Sequence, residues 1–300
     1  MIVERVLETK ARKAQLWPVR SNRASEMGHP CVRYLTFLRT RGEERSVPSP
    51  ELQMIFDLGN ILEPAVIRDL QDAGFQVNQT QKGLEWKKYQ ITGSIDGNLI
   101  IDGASYPLEI KTSSPNVFNA LNSVEDMNRS KYLYMRKYPT QLNLYMLMHE
   151  REKGVFIFKN KTTGAMKEIW MDLDYQLGEE TLQKAELVNM HVQEGTTPEP
   201  IEWEDSICGE CAFLHICTPD RIAQGAEIVD NENLLFLLNR RESLKQAKEE
   251  YEEVDKLVKE SLKEKDKLLI GPWYVTGKFQ ERGEYTVKAT RFWVSKIIKA

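Results

Sequence analysis

The sequence predicts an α/β protein with a mixed β-sheet flanked by helices, and three observations carry that expectation. Apolar residues recur every three to four positions over 51–70, 138–150 and 174–194, the period of an amphipathic helix. Between the first two lie short extended runs at 75–77, 89–93, 99–102 and 106–111, separated by the turn-forming Asp96-Gly97-Asn98 and Asp102-Gly103. A further pair, 154–158 and 166–171, reads as a hairpin around 160–164. The order helix, antiparallel strands, helix, strands belongs to the α/β class.

Taken from the N-terminus, residues 1–50 look helical in part, and the polar Arg41–Pro50 stretch RGEERSVPSP is a break. The helix over 51–70 is carried by Leu52, Ile55, Phe56, Ile61, Leu62, Val66 and Ile67, with a break or fresh start expected at Pro64. In the next helix Leu142, Tyr145, Leu147 and Met148 are the apolar positions. A Cys-rich loop follows Thr196-Thr197-Pro198-Glu199-Pro200. Residues 231–268 predict one long, charge-laced helix with Leu244, Tyr251, Val254, Leu257, Val258 and Leu262 along one side, either packed on the domain or used as an arm. The alternating 269–297 segment (Trp273, Tyr274, Val275, then Tyr285, Val287, Phe292, Val294) predicts a closing hairpin turning at Gln280-Glu281-Arg282-Gly283.

The bulk properties narrow the class. Three hundred residues bury a core easily, and 41% hydrophobic with 29% charged residues is ordinary for a water-soluble globular chain. No run of about 18 apolar residues is present, and MIVERVLETKARKAQLW lacks the apolar stretch of a signal peptide, so a cytoplasmic protein is expected. A net charge of −4 gives no global attraction to nucleic acid, so any such affinity must be local. The segment 128–138 offers Arg129, Lys131, Arg136 and Lys137 interleaved with three tyrosines. That mixture either holds phosphates and stacks bases or is a solvated helix face over core aromatics.

A candidate catalytic group follows from chemistry. Phosphodiester hydrolysis needs a divalent cation to polarise phosphate and acidify a water, and hard cations take carboxylate oxygens. Asp96 and Glu109 supply such a pair if their strands are neighbours, and period-two geometry puts Lys111 on the same face as Glu109. Lys111 can then orient the water or neutralise charge in the transition state. Ile110 points to the other face and offers a backbone carbonyl. Glu-x-Lys is weak by itself, because Glu8-Thr9-Lys10 and Glu85-Trp86-Lys87 match it too. Only Glu109-Ile110-Lys111 ends an apolar strand after Gly93-Ser94-Ile95-Asp96.

Those two elements resemble motifs II and III of the PD-(D/E)XK nuclease superfamily. Gly59-Asn60-Ile61-Leu62-Glu63 is similar to the G-x3-E/H element whose last residue helps to bind metal. Gln141-Leu142-Asn143-Leu144-Tyr145 is similar to the Q-x3-Y element of the RecB-like branch, and it begins 30 residues after Lys111. RecB-like relatives usually carry His where Glu63 stands; Glu there is similar to phage lambda-type and YqaJ-type recombination exonucleases. The resemblance implies a restriction-endonuclease-like core with Mg2+ or Mn2+ bound by Asp96, Glu109, Glu63 and the Ile110 carbonyl. It implies that Lys111 assists the attacking water and that Gln141 and Tyr145 position phosphate or nucleophile.

The cysteines add a second pattern. Cys31 stands alone, and Cys208, Cys211 and Cys217 begin 177 positions later as C-x2-C-x5-C. In a reducing compartment this spacing suggests metal before disulfide. Four thiolates suit [4Fe–4S] or Zn2+ on ligand count, with His29 and His215 as further zinc candidates, although zinc sites more often pair two close Cys doublets. Electron transfer is a rival use. The pattern is similar to the split Fe–S frame of the AddB subunit and of the CRISPR adaptation nuclease Cas-four, which implies a [4Fe–4S] cluster joining the two ends of the nuclease domain.

The resulting expectation has four parts: a helical segment over 1–50 carrying the first cluster cysteine, a nuclease core over 51–200, a cluster segment over 201–225, and a helix-and-hairpin extension over 226–300. The activity implied by resemblance is exonucleolytic hydrolysis of DNA from single-stranded ends in recombination, repair or CRISPR adaptation, in a prokaryotic or phage setting. A homo-oligomer or a recombination or adaptation protein is the expected partner. A catalytically idle DNA-binding module and a structure-specific endonuclease are the alternatives.

Overall fold

In the computed structural model the described residues are 2–13, 16, 18–209, 211–217, 232–265 and 267–277. They fall into two compact units, the first running to Cys217 and the second from Glu232 to Gly277.

The first unit is an α/β fold with a mixed sheet flanked by helices, as expected from the sequence. Its elements are α1 (Ile2–Lys13), β1 (Asn22–Arg23), α2 (Val32–Thr40), α3 (Pro50–Asp72), β2 (Gln76–Asn78), β3 (Lys82–Trp86), β4 (Ile91–Ile95), β5 (Gly97–Ile101) and β6 (Ala104–Ser113). There follow α4 (Pro115–Ala120), α5 (Val124–Asn128), α6 (Leu133–His149), β7 (Lys153–Asn160), β8 (Met166–Asp172), α7 (Tyr175–Glu194), α8 (Asp205–Cys208) and α9 (Leu214–Cys217). Five strands form one sheet in the order β2-β5-β6-β7-β8, parallel only between β6 and β7; β1, β4 and β3 form a second, smaller sheet.

Strand β6 is buried on both faces. Leu108 and Ile110 join Val155, Ile157, Leu99 and Val66 in a core under α3. Register pairs Glu109 with Phe156 and Lys111 with Phe158, so these charged residues point toward the face covered by α4, α5 and α6. A third core holds Leu35, Phe37, Ile91, Ile95, Leu144, Tyr145, Ala185 and Phe213 together. Each fully buried side chain of this size contributes roughly 1.5–3 kcal/mol through lost apolar hydration.

Several local expectations are corrected. Pro64 does not break α3, which runs unbroken from its Ser49 cap; the N–H forfeited at Pro64 is outweighed by burial of Val66 and by flanking Ile67 and Leu70. Helix α6 starts at Leu133 rather than at residue 138, with Pro139 inside it. The extended run expected at 89–93 begins later, because Lys87–Tyr89 is a 3-10 turn, and β3 was missed. Asp96-Gly97-Asn98 is no hairpin turn, since Gly97 and Asn98 already belong to β5. Asp102-Gly103 is the turn expected, with φ of +50° and +81° at its two residues.

In the second unit the single helix expected over 231–268 is two, α10 (Glu232–Ser243) and α11 (Lys245–Ser261). Between them the Leu244 N–H is shared by the Arg240 and Arg241 carbonyls at 3.2 and 3.3 Å, which tightens the turn. A hairpin of β9 (Lys267–Ile270) and β10 (Trp273–Thr276) follows, turning at Gly271 with φ +56°. The turn expected at 280–283 and the strand of Tyr285, Val287, Phe292 and Val294 lie outside the described residues. No helix of the described residues is long and apolar enough to cross a membrane.

Close backbone approach between the 24–28 loop and α6 gives a test of this packing. A Cβ on Gly28 would lie 2.6 Å from the Lys137 Cα and 2.9 Å from its carbonyl oxygen. Gly28→Ala should therefore cost about 1–3 kcal/mol, read as a lower urea midpoint; an unchanged midpoint would show that the loop moves aside freely.

Candidate active site

The site forms where the chain passes from one sheet to the other. Asp96 is the single residue between β4 and β5, and these strands belong to different sheets. Pairing of β5 with β6 ends at Gly97 opposite Leu108, so the edge of β6 beyond that point has no strand partner on this side. Asp96 takes its place: its Oδ2 accepts the Ile110 N–H at 2.7 Å. The N–H and C=O of one extended residue face the same side, so the Ile110 carbonyl also opens toward Asp96.

Glu109 and Lys111 share the adjacent face, with Lys111 Nζ 2.5 Å from Glu109 Oε2. Glu109 is 0% exposed, and its other oxygen, Oε1, is buried with no hydrogen-bond partner among the described residues. Burial pushes the Glu109 carboxyl up to about 8; Lys111 opposes the shift and Asp96 reinforces it. Burial works to lower Lys111, yet the carboxylates of Glu109 and Asp96 outweigh it and hold its pKa above the ordinary lysine value. Asp96 is also raised, by burial against the pull of Lys111 and the Ile110 N–H.

Glu63 arrives from α3, half-buried, and its pKa is raised by burial and then by Asp96. What joins it to the strands is a residue that the sequence reading missed. Gln81 Nε2 donates to Glu63 Oε1 and, at 3.2 Å, to Asp96 Oδ1, while Gln81 Oε1 accepts the Ser94 hydroxyl at 3.1 Å. Gln81 sits at φ +53°, just before β3. A glutamine between two short strands has no spacing that marks it; only the fold brings it here.

Gln141 and Tyr145 come from consecutive turns of α6. Tyr145 is almost wholly buried; its hydroxyl donates to the Ser94 carbonyl at 3.1 Å and lies 3.4 Å from Gln141 Nε2. A Cβ on Gly93 would lie 2.6 Å from that hydroxyl, so the glycine allows the contact. Tyr145 therefore holds the end of β4 that delivers Asp96. Of the four basic residues singled out at 129–137, Arg136 pairs with Glu204 at 3.2 Å and Lys137 with Glu26 at 2.8 Å. Arg129 and Lys131 are exposed.

None of the four cysteines is disulfide-bonded. Cys31 caps α2, its sulfur accepting the Tyr34 N–H at 3.4 Å. Cys208 and Cys217 end α8 and α9, two short helical turns where a loop was expected. Arg33 ties the ends of the unit together, donating to the Pro198 carbonyl at 2.6 Å and lying 3.6 Å from Cys217 Sγ. Phe213 is fully buried, edge-on to Phe37 and Tyr34. Burial pushes the Cys211 thiol up to about 11, against the Phe213 N–H and with the charge of Cys31, Cys217 and Cys208. His29 stacks on Tyr34 at 3.9 Å and spends Nδ1 on the Cys31 N–H; burial, then Lys137 and Lys184, lower it to about 3. Among the described residues no three His, Cys, Asp or Glu side chains are assembled so that they could hold a metal ion as they stand.

No family model and no curated protein matches the chain. Among solved structures, that of SSO0001 is similar over 72% of this chain and 96% of its own, at 21% identity and a TM-score of 0.42. The alkaline exonuclease LHK-Exo from Laribacter hongkongensis, solved in complex with dAMP, is similar over 64% of this chain and 93% of its own, at 16% identity and a TM-score of 0.42. A phage-related exonuclease from Haemophilus somnus 129PT is similar over 63% of this chain and all of its own, at 13% identity and a TM-score of 0.37.

The buried carboxyl has a thermodynamic signature. With Glu109 raised to about 8 from an ordinary 4.5, the folded protein keeps a proton there that the unfolded chain has released. That stability is full below about 4.5 and is lost as pH rises through about 8. In chelator, the stability of Glu109→Gln relative to wild type should grow as pH climbs from 5 to 8. A difference that stays flat across that range would contradict the burial argument.

Proposed function

We propose that this chain is a divalent-metal-dependent nuclease that hydrolyses DNA from its ends, acting on single strands. The observation that carries the reading is the Asp96 carboxylate anchored on the Ile110 N–H beside the buried Glu109–Lys111 pair. Asp96, Glu109 and Glu63, with the Ile110 carbonyl, would hold Mg2+ or Mn2+. Two features fit that assignment. Glu109 Oε1 is a buried acceptor lacking a donor, and the Gln81 amide group bridges Glu63 and Asp96 as a cation would. The chemistry such a cation supplies is polarisation of phosphate and acidification of a water.

The chain's own residues do the rest. The Ile110 N–H fixes one Asp96 oxygen and leaves the other directed at Gln81. Burial works to lower Lys111, but Glu109 once ionised, and Asp96, hold it as an ammonium. From there it can orient a water and offset negative charge as the phosphorus becomes five-coordinate. Gln141 and Tyr145 act one step removed, by fixing Ser94 and so the approach to Asp96.

The four cysteines are proposed to hold a [4Fe–4S] cluster that joins α2 to the 208–217 segment, with Zn2+ as the alternative occupant. The donor set is four thiols; burial raises Cys31 and Cys211, and the backbone N–H groups of Tyr34, Ile201 and Arg33 at Cys31 and of Phe213 at Cys211 work against that rise. The site closes a loop of most of the first unit, so its contribution would be to stability.

End-labelled single-stranded DNA with Mg2+ or Mn2+ tests the catalytic assignment. Wild type should shorten the strand, and Lys111→Ala should be slower by about a hundredfold or more. Equal activity of the two would mean that the active site lies elsewhere, and cutting of circular single strands would make the enzyme an endonuclease. For the cysteines, Cys211→Ser should lower folding yield and visible absorbance together; full yield with full iron content would refute the cluster.

A further inference from the structure

A line of aromatic rings leads out of the carboxylate–lysine site. Lys111 Nζ lies 4.9 Å from the ring centre of Tyr138, which is partly buried against Phe158. Tyr134 stands one helical turn before Tyr138 on the same face of α6, with ring centres 6.0 Å apart. Tyr132, at the cap of α6, stacks on Tyr134 at 5.5 Å and 27°. Lys131 closes the line with its ammonium 5.3 Å from the Tyr132 ring. The rings pass from partly buried at Tyr138 to 44% and 36% exposed at Tyr134 and Tyr132.

Tyr138 completes a core, but Tyr134 and Tyr132 hold two large rings at the surface against one another. No acidic residue occurs between Arg129 and Tyr138, and the two basic side chains of that stretch nearest the core, Arg136 and Lys137, are taken up by Glu204 and Glu26. Arg129 and Lys131 are exposed, and Lys131 lies over the outermost ring. Rings with flanking cations, continuous with a group suited to phosphate chemistry, are the chemistry of single-strand recognition: bases stack on the rings and phosphates meet the cations.

We infer that Tyr134 and Tyr132 form a base-stacking track for the single strand next to the bond being cut, with Lys131 on its phosphates. This rests on the phosphodiesterase reading above and deepens it, by assigning where the strand lies and why an unpaired one is taken. A duplex keeps its bases stacked inside and cannot offer them to the rings.

Binding of a short fluorescein-labelled oligodeoxynucleotide by the full chain, in chelator so that nothing is cut, tests the track. Tyr134→Ala should weaken binding of the single strand about tenfold, and the double variant with Tyr132→Ala more than that. Tyr134→Phe and Tyr132→Phe should bind as wild type does, because the ring is kept. Affinity for a blunt duplex of the same length should not change in any of them. An oligonucleotide with abasic positions should bind wild type more weakly and gain nothing further from the double variant. The track is overturned if the alanine variants bind the strand as wild type does, or lose strand and duplex alike. Wild type binding neither strand nor duplex would bring down the nuclease reading as well, whereas normal wild-type binding with unaffected variants brings down the track alone. Both tyrosines are exposed, so the variants should melt like wild type, and the phenylalanine forms separate a lost ring from a lost fold.

Discussion

The hydrogen bond from the Ile110 N–H to Asp96 joins two requirements that would otherwise conflict. Strand β6 is longer than its neighbour β5, so its backbone edge beyond Leu108 needs another acceptor in a buried setting. The chain supplies a carboxylate at the residue where it leaves one sheet for the next. One side chain thus serves as the backbone's acceptor and places a carboxylate beside Glu109. The rest of the site is arranged about it: Gln81 reaches it from before β3, Glu63 reaches Gln81 from α3, and Tyr145 secures Ser94 two residues upstream.

Electrostatics then decides the character of the pair on β6. Burying one carboxyl alone would neutralise it, and burying one lysine alone would do the same. Together they leave Lys111 charged and Glu109 poised within the range where pH or a cation changes its state. Among the described residues Glu109 Oε1 has no donor, and a buried acceptor without one forfeits its hydration.

How far the sequence revealed this depends on range. Period-two alternation placed Glu109 and Lys111 on one face, and it did so because the alternation is a local property of the strand. The 3.6-residue period marked α3, α6 and α7, but α3 runs on through Pro64, and α6 starts at Leu133 with Pro139 inside a buried stretch. Asp96-Gly97-Asn98 looked like a turn because its residue types favour turns, yet the sheet took Gly97 and Asn98 into β5, with a Cβ on Gly97 lying 2.7 Å from Val77. Gln81 was invisible because its role depends on three elements distant in sequence. The tyrosines of 132–138 were legible as a mixture, and only the helix phase showed that they form a line starting at Lys111.

The cysteine region shows the same economy at longer range. Cys31 begins α2, and the segment that carries the other three returns to it after the whole sheet has been laid down. Phe213 packs on Phe37 and Tyr34, with Cys211 and Cys217 against the same core. Arg33 spans the same junction through Pro198 and Cys217. The sheet is thus closed at its two chain ends by packing that a ligand on sulfur would reinforce. α2 and α6 share this core with β4, the strand that ends at Asp96. The two regions are far apart in sequence and border one body of side chains, Leu35, Phe37, Ile91, Ile95 and Tyr145.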